Sequence, residues 1–430
     1  MKARLLRGIG ANLYGQGATV VVQLVSVPLL VAAWGPARYG AWTLLTAVPA
    51  ALAFADGGLV LASGNAIAML AARGEVATAA ALFGRAMRRV GVAVVVLGFL
   101  AAASVHLASA AGLPWVADRA TCRILDLLVA VTLLGVLGTL PGAALRAGGD
   151  YAVATAATTT GRLAESAALV GVAAMGGGLE AAALGWAIVR GGATLLLFAF
   201  AYRRVSWLGR PAGAGDLPAL ARPAAAALLL PACFALGLQG VTLAIGFSQP
   251  PAAVAAFAAA RTLARTLVQA TGLVIHALMP EMSRAAGRGD AAAVAAVMRV
   301  GRVASMALLV PGWLVLLVAG PSAFALWTGG RLPVPAGTLP LVATAAALHG
   351  LWLARANLLL AINRQADYAG AFLGATLATV ALAGGAVRVA DLPGAAAATL
   401  AGEALMVLHL ARLDRKTHVE RLSVAGAFAS

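Results

Sequence analysis

Four side chains on one predicted helix carry the sharpest chemistry in this chain. Arg261, Arg265, Gln269 and His276 follow one another at steps of 4, 4 and 7 residues, so a helix places all four on one face, with Thr262 and Thr266 beside them. A guanidinium is a planar donor fork whose geometry suits carboxylate and phosphate. The surrounding segment is apolar and holds no acid. A centrally placed Arg costs roughly 2.5–3.5 kcal/mol on the membrane-insertion scale, so two cost about 5–7 kcal/mol unless an anion, water or an acid on another helix meets them. Arg261 is close enough to a predicted span end to snorkel in part, whereas Arg265 is near the middle. The chemistry on offer is capture of an anion, with pairing to Glu165 or Glu403 as the structural alternative.

Arg190 and Arg355, in the sixth and tenth apolar segments, extend the cationic set. Arg162 and Glu165 are three residues apart and read as an intrahelical ion pair. Asp56 and Glu403 are the isolated acids, suited to hold a coupling proton or sodium ion or to neutralise an Arg. In the first segment Asn12, Gln16, Thr19, Gln23 and Ser26 advance by 4, 3, 4 and 3 residues. Such a stripe either makes interhelical hydrogen bonds, about 0.6 kcal/mol each, or lines a wet cavity; five polar residues in register favour lining. The segments hold Arg162, Arg190, Arg261, Arg265 and Arg355 against Asp56, Asp126, Glu165 and Glu403. That balance favours an anionic substrate carrying phosphate or pyrophosphate.

The same residues argue against catalysis. There is no phosphate-binding Gly-rich loop, no paired carboxylates and no nucleophile elbow. His106, His276 and His349 are too scattered for a metal site, with a proton relay at His276 left open. Cys122 and Cys233 are not placed to pair. A transporter without cofactor or metal is expected, not an enzyme.

The elements that must position these groups are membrane helices. Of 430 residues, 62% are hydrophobic and 11% charged, against ~25% charged in soluble domains. About twelve apolar segments of roughly 18–26 residues are each long enough to cross the hydrocarbon layer. They lie near 9–33, 41–63, 90–112, 124–145, 152–174, 180–201, 224–247, 254–279, 303–320, 338–361, 368–387 and 393–411. Continuous apolar runs exclude a β-barrel. The fold class is therefore an all-α polytopic membrane protein. The net charge of +16 does not indicate nucleic acid: of 31 Lys and Arg, 21 fall on one predicted face and 5 on the other. The positive-inside rule then puts both termini in the cytoplasm, and the expected location is the cell inner (plasma) membrane. The first segment is too long and too polar for a cleaved signal. Trp34, Trp42, Trp115, Trp207 and Trp327 fall near predicted span ends, as an interfacial belt would. The stretches 76–90 and 291–302 read as amphipathic extensions at the inner surface.

The pattern occurs twice. Arg73-Gly74-Glu75 returns as Arg288-Gly289-Asp290, 215 residues on, and Asp150-Tyr151 returns as Asp367-Tyr368, 217 residues on. An even number of spans per repeat implies two parallel six-helix bundles related by an axis along the membrane normal. The expected domains are an N-terminal bundle at 1–202, a cytoplasmic linker at 203–223, a C-terminal bundle at 224–411 and a tail at 412–430.

Particular residues also carry a family resemblance. Pro28-Leu29-Leu30, Gly35, Tyr39-Gly40-Ala41-Trp42, Asp56-Gly57-Gly58-Leu59, Asn65, Arg73-Gly74-Glu75 and Leu82-Phe83 resemble the start of Wzx-type polysaccharide (O-antigen) flippases. These belong to the multidrug/oligosaccharidyl-lipid/polysaccharide exporter superfamily. Pro280-Glu281-Met282-Ser283-Arg284, Gly289-Asp290 and Leu326-Trp327 extend the resemblance to the second half. It implies two bundles around a V-shaped central cavity that open by turns to either side, as in MATE-like transporters. It also implies a substrate: an undecaprenyl-pyrophosphate-linked oligosaccharide moved from the inner to the outer leaflet. Implied partners are this lipid-linked anionic glycan, membrane lipids, H+ or Na+, and glycan polymerase or assembly proteins. The alternative within the same superfamily is an ion-coupled exporter of drugs or other small molecules.

Overall fold

The computed structural model describes residues 2–54, 58–112, 118–208, 221–361 and 364–427. They form helices throughout, with no strand among the described residues. In order these are α1 (Lys2–Ala47), a 3-10 turn (Pro49–Phe54), α2 (Leu59–Ala72), α3 (Val76–Ala110), α4 (Arg119–Ala147), α5 (Tyr151–Ala174) and α6 (Leu179–Arg204). There follow α7 (Ala221–Gly246), α8 (Pro251–Gly287), α9 (Ala291–Val318), α10 (Gly320–Thr328), α11 (Thr338–Ala361) and α12 (Ala366–Ala427).

Two long helices are interrupted part-way. Gly10–Ala47 is 38 residues, about 57 Å of straight helix against a layer of ~30 Å. It breaks at Gly35, whose φ of 75° is open to glycine and followed by Pro36, a residue suited to a helix start. The 48-residue Ala366–Leu413 breaks at Ala390 and Asp391, with Pro393 just beyond. Nine helices among the described residues are long and apolar enough to span a membrane. The segment near 152–174 appears as α5 but falls below that hydropathy because Thr155, Thr158, Thr159, Arg162 and Glu165 dilute it. The expected extensions at 76–90 and 291–302 are not separate pieces: they are the first turns of α3 and α9. The short helix α10 is an element the apolar pattern does not announce.

The chain divides into two compact units, Met1–Ala235 and Leu236–Ser430. In the first, α1 packs on α5, and α4 on α6 and α3. Its core joins Ile67, Leu82, Phe83, Val90, Leu140 and Leu145 with many alanines, whose small side chains let helix backbones approach. In the second, α11 lies against α8, α9 and α12, around Ile275, Met282, Ala354 and Leu358.

The repeated Arg-Gly-acid signature produces the same turn in both units. Gly74 N–H bonds Ala71 O and Glu75 N–H bonds Leu70 O; Gly289 N–H bonds Ala286 O and Asp290 N–H bonds Ala285 O. Both glycines have positive φ, 79° and 68°, as this helix-ending motif requires.

The start of α4 carries a cap that can be tested. Asp118 accepts the Thr121 N–H at 2.6 Å and the Thr121 hydroxyl at 2.7 Å. These donors, the backbone N–H foremost, hold its carboxyl below the usual carboxylate range. A carboxylate with a depressed folded-state pKa stabilises above its ordinary value and loses that contribution as pH falls through the folded one. Asp118→Ala is expected to cost about 1 kcal/mol at pH 7. The loss should shrink towards pH 3 in detergent melts, and a pH-independent loss would exclude a capping origin.

Candidate substrate and coupling sites

The cationic face of α8 divides into two roles. Arg261 Nη1 donates to Leu238 O at 2.9 Å, and its Nη2 to Thr242 Oγ at 2.8 Å, both on α7. Its guanidinium carbon also lies 5.7 Å from the centre of the Phe257 ring. Arg261 therefore ties α8 to α7. Arg265, one turn on, is exposed and makes no ion pair or hydrogen bond among the described residues. It lies 14 residues from the start of α8 and 22 from its end, about 21 and 33 Å along the axis. Gln269 follows on the same face, partly buried. The side chain of His276 lies outside the described residues.

Among the described residues, each acid considered as a partner for these arginines has partners within its own unit. Glu165 of α5 receives Arg190 Nη2 at 2.7 Å and the Trp186 indole N–H at 3.2 Å, both from α6. This corrects the intrahelical pairing expected with Arg162. The spacing of three allows that pair, but α6 brings an Arg and a Trp one turn apart to the same carboxylate. Arg190 is thus neutralised inside the first unit. Trp186 packs on Trp42, with ring centres 5.8 Å apart, and Trp42 on Trp34 at 5.6 Å. Trp34 donates its N–H to Gly177 O at 2.8 Å. Trp34, Trp42 and Trp207 are buried, so they are interior packing residues and not the interfacial belt expected of them. Their apolar rings gain more inside the bundle than at its rim.

Glu403 of α12 is held within the second unit. His349 Nδ1 lies 3.0 and 3.1 Å from its two carboxylate oxygens, and the Trp352 indole N–H donates to Oε2. His349 and Trp352 are three apart on α11, which puts both on the side facing α12. Gly402 beside it lets the two stretches of α12 approach closely: a Cβ there would strike Thr379 of the preceding stretch. Spacing alone marked Glu403 as an isolated acid. The His349–Trp352 pair that brackets it was the signal to find.

The polar stripe of α1 is shared between two uses. Tyr151 O–H donates to Asn12 Oδ1 at 3.0 Å, and Ser26 and Ser166 hydroxyls meet at 2.8 Å, so part of the stripe bonds α5. Thr19 returns its hydroxyl to Gly15 O. Gln16 is exposed and Gln23 partly buried. Arg355 faces a small cavity inside the second unit together with Arg302. Asp56 lies outside the described residues.

An all-helical, multi-pass membrane chain with this succession of helices has the fold of a class of membrane transporters. Among solved structures, an inward-facing multidrug resistance MATE family transporter of the MOP superfamily matches 94% of this chain and 96% of its own. The identity is 13% and the TM-score 0.76. An outward-facing MATE family transporter matches 97% of this chain and 96% of its own, at 14% identity and a TM-score of 0.67. The lipid II flippase MurJ in an inward closed conformation matches 96% of this chain and 87% of its own, at 11% identity and a TM-score of 0.68. At these identities the likeness is one of fold. No protein-family model matches the chain, and no curated protein does.

Proposed function

We propose that this protein is a flippase for a lipid-linked oligosaccharide, carrying an undecaprenyl-pyrophosphate-linked glycan from the inner to the outer leaflet. The observation that carries this reading is Arg265: an exposed residue near the middle of the span expected at 254–279, with no ion pair or hydrogen bond among the described residues, on a face with Gln269. An unneutralised Arg at that depth faces water or an anion rather than lipid. Its bidentate donors fit a pyrophosphate. The transport fold, found also in a lipid II flippase, supports the same direction. In this reading the domains are the two bundles, 1–202 and 224–411, joined by a cytoplasmic linker. Both termini face the cytoplasm from the inner membrane.

The test is deletion of the gene followed by measurement of lipid-linked oligosaccharide in extracted membranes. Accumulation relieved by plasmid-borne wild type is the expected result. Membranes without accumulation, from cells whose surface glycan is intact and which have no second flippase, would sink the proposal.

One observation favours a second reading, an ion-coupled exporter of small molecules. The His349–Glu403 contact is a titratable pair inside a membrane unit, and such groups commonly serve proton or cation coupling. That reading expects deletion to sensitise cells to toxic amphipathic cations, and Glu403→Gln to abolish resistance. Unchanged resistance in both strains would exclude it.

A further inference from the structure

One face of α3 is left open. The helix Val76–Ala110 carries no acid. Its buried residues, Leu82, Phe83, Ala86 and Val90 among them, pack into the core of the first unit. On another side Arg85, Arg89, Val92, Val96 and Phe99 follow at steps of 4, 3, 4 and 3, which is one helix face, with Arg88 beside them. All three arginines are exposed, and none makes an ion pair or hydrogen bond among the described residues. Val92, Val96 and Phe99 are exposed as well, at 64%, 48% and 73%. A cavity of about 690 Å³ runs along this face; its lining includes the three arginines and then Val92, Val96 and Leu97. Depth orders the two halves. From Val90 to Ala110 the helix is about 30 Å long, the thickness of the hydrocarbon layer. The arginines therefore lie at the level of the lipid headgroups, and the valines at that of the acyl chains.

We propose that this face of α3 binds one anionic phospholipid, with its phosphate on Arg85, Arg88 and Arg89 and an acyl chain along Val92, Val96 and Phe99. Guanidinium forks suit phosphate oxygens, and a basic cluster at headgroup level recognises anionic lipid. A free phosphate would use the arginines and leave the valines bare, and an uncharged lipid would do the reverse. An amphiphile with an anionic head uses both, in the order in which a membrane lipid presents them. The volume of 690 Å³ is far more than a phosphate fills and falls within the roughly 300–1,000 Å³ of sites for larger ligands. Acids outside the described residues are too few to cancel the cluster. Asp216, the one acid of segment 209–220, comes with Arg210 and is a single charge against three. The tail from Asp414 is itself cationic, with Asp414 and Glu420 against Arg415, Lys416 and Arg421. Such a lipid is resident, so the site stands apart from whatever the protein transports.

Native mass spectrometry of the full-length protein in detergent tests this. Phosphatidylglycerol is the anionic lipid, phosphatidylcholine the neutral one, and inorganic phosphate the free anion. Wild type is expected to retain phosphatidylglycerol and not phosphatidylcholine. The triple variant Arg85→Gln, Arg88→Gln, Arg89→Gln should bind it roughly tenfold or more weakly, as for loss of at least one hydrogen bond to a charged group. A second triple of equal charge, Arg38→Gln, Arg119→Gln, Arg331→Gln, removes exposed arginines elsewhere and should retain the lipid as wild type does. The double variant Val92→Ser, Val96→Ser keeps every arginine and should also bind more weakly, since the acyl chain loses its apolar wall. All of these side chains are exposed, so the variants are expected to stay folded. Equal retention by wild type and the α3 triple, or an equal loss in the second triple, would overturn the site. Unchanged retention by the valine variant, or displacement of the lipid by inorganic phosphate, would overturn the lipid as its occupant.

Discussion

Arg265→Ala is expected to lose most glycan export while remaining abundant in the membrane. The residue makes no hydrogen bond or ion pair among the described residues that its removal would break, so the fold should suffer little. A hydrogen bond to a charged group contributes about 1.5–3 kcal/mol, which corresponds to roughly tenfold to 150-fold in affinity. Arg265→Lys keeps the charge but not the fork, and should recover only part of the activity. The companion variant Arg261→Ala separates the roles. It loses the bonds to Leu238 and Thr242, so its melting temperature should fall further than its export per folded molecule. Lipid-linked oligosaccharide levels, normalised to protein in the membrane, read the first effect, and detergent melts read the second. Wild-type export by an abundant Arg265→Ala protein would remove Arg265 from the proposed site.

The second large effect belongs to Glu165 and Arg190. Their side chains are 8% and 26% exposed and 2.7 Å apart. Removing one partner of a buried pair leaves the other charge uncompensated and costs about 3–5 kcal/mol. Glu165→Gln strands the guanidinium, and Arg190→Met leaves the carboxylate with the Trp186 N–H and the charge of Arg162 on its own helix. Replacing both at once, as Glu165→Gln with Arg190→Met, is expected to be far milder than the sum of the single changes, since a buried ion pair is often dispensable when both charges go. Melting of the four proteins in one detergent closes the double-mutant cycle. Additive losses would mean that the two side chains are not coupled.

Much of this was legible in the sequence, and the limit has a physical cause. Hydropathy and the arginine bias mark segments because lipid imposes one strong rule on every residue of a span. Helical periodicity correctly put Arg261 and Arg265 on one face, but periodicity is blind to what stands opposite. Arg261 meets a carbonyl and a hydroxyl of α7, and Arg265 does not. The same blindness paired Glu165 with Arg162 on its own helix when Arg190 reaches across from α6. Glu403 showed the reverse case: the residue was visible as an isolated acid, while its His349 and Trp352 neighbours lie more than fifty positions away. Trp34 and Trp42 were misread because closeness to a span end in sequence does not settle which way a ring turns.

Gly35 also bears on how force passes along the chain. The two helical stretches of α1 meet through that one residue, at φ 75° and ψ 168°, with Pro36 stiffening the far side. A junction of a single residue has no slack. Twisting or tilting one stretch levers the other, as two rods soldered at a joint move together. Splicing several flexible residues in after Gly35 should therefore leave both stretches folded yet mechanically uncoupled.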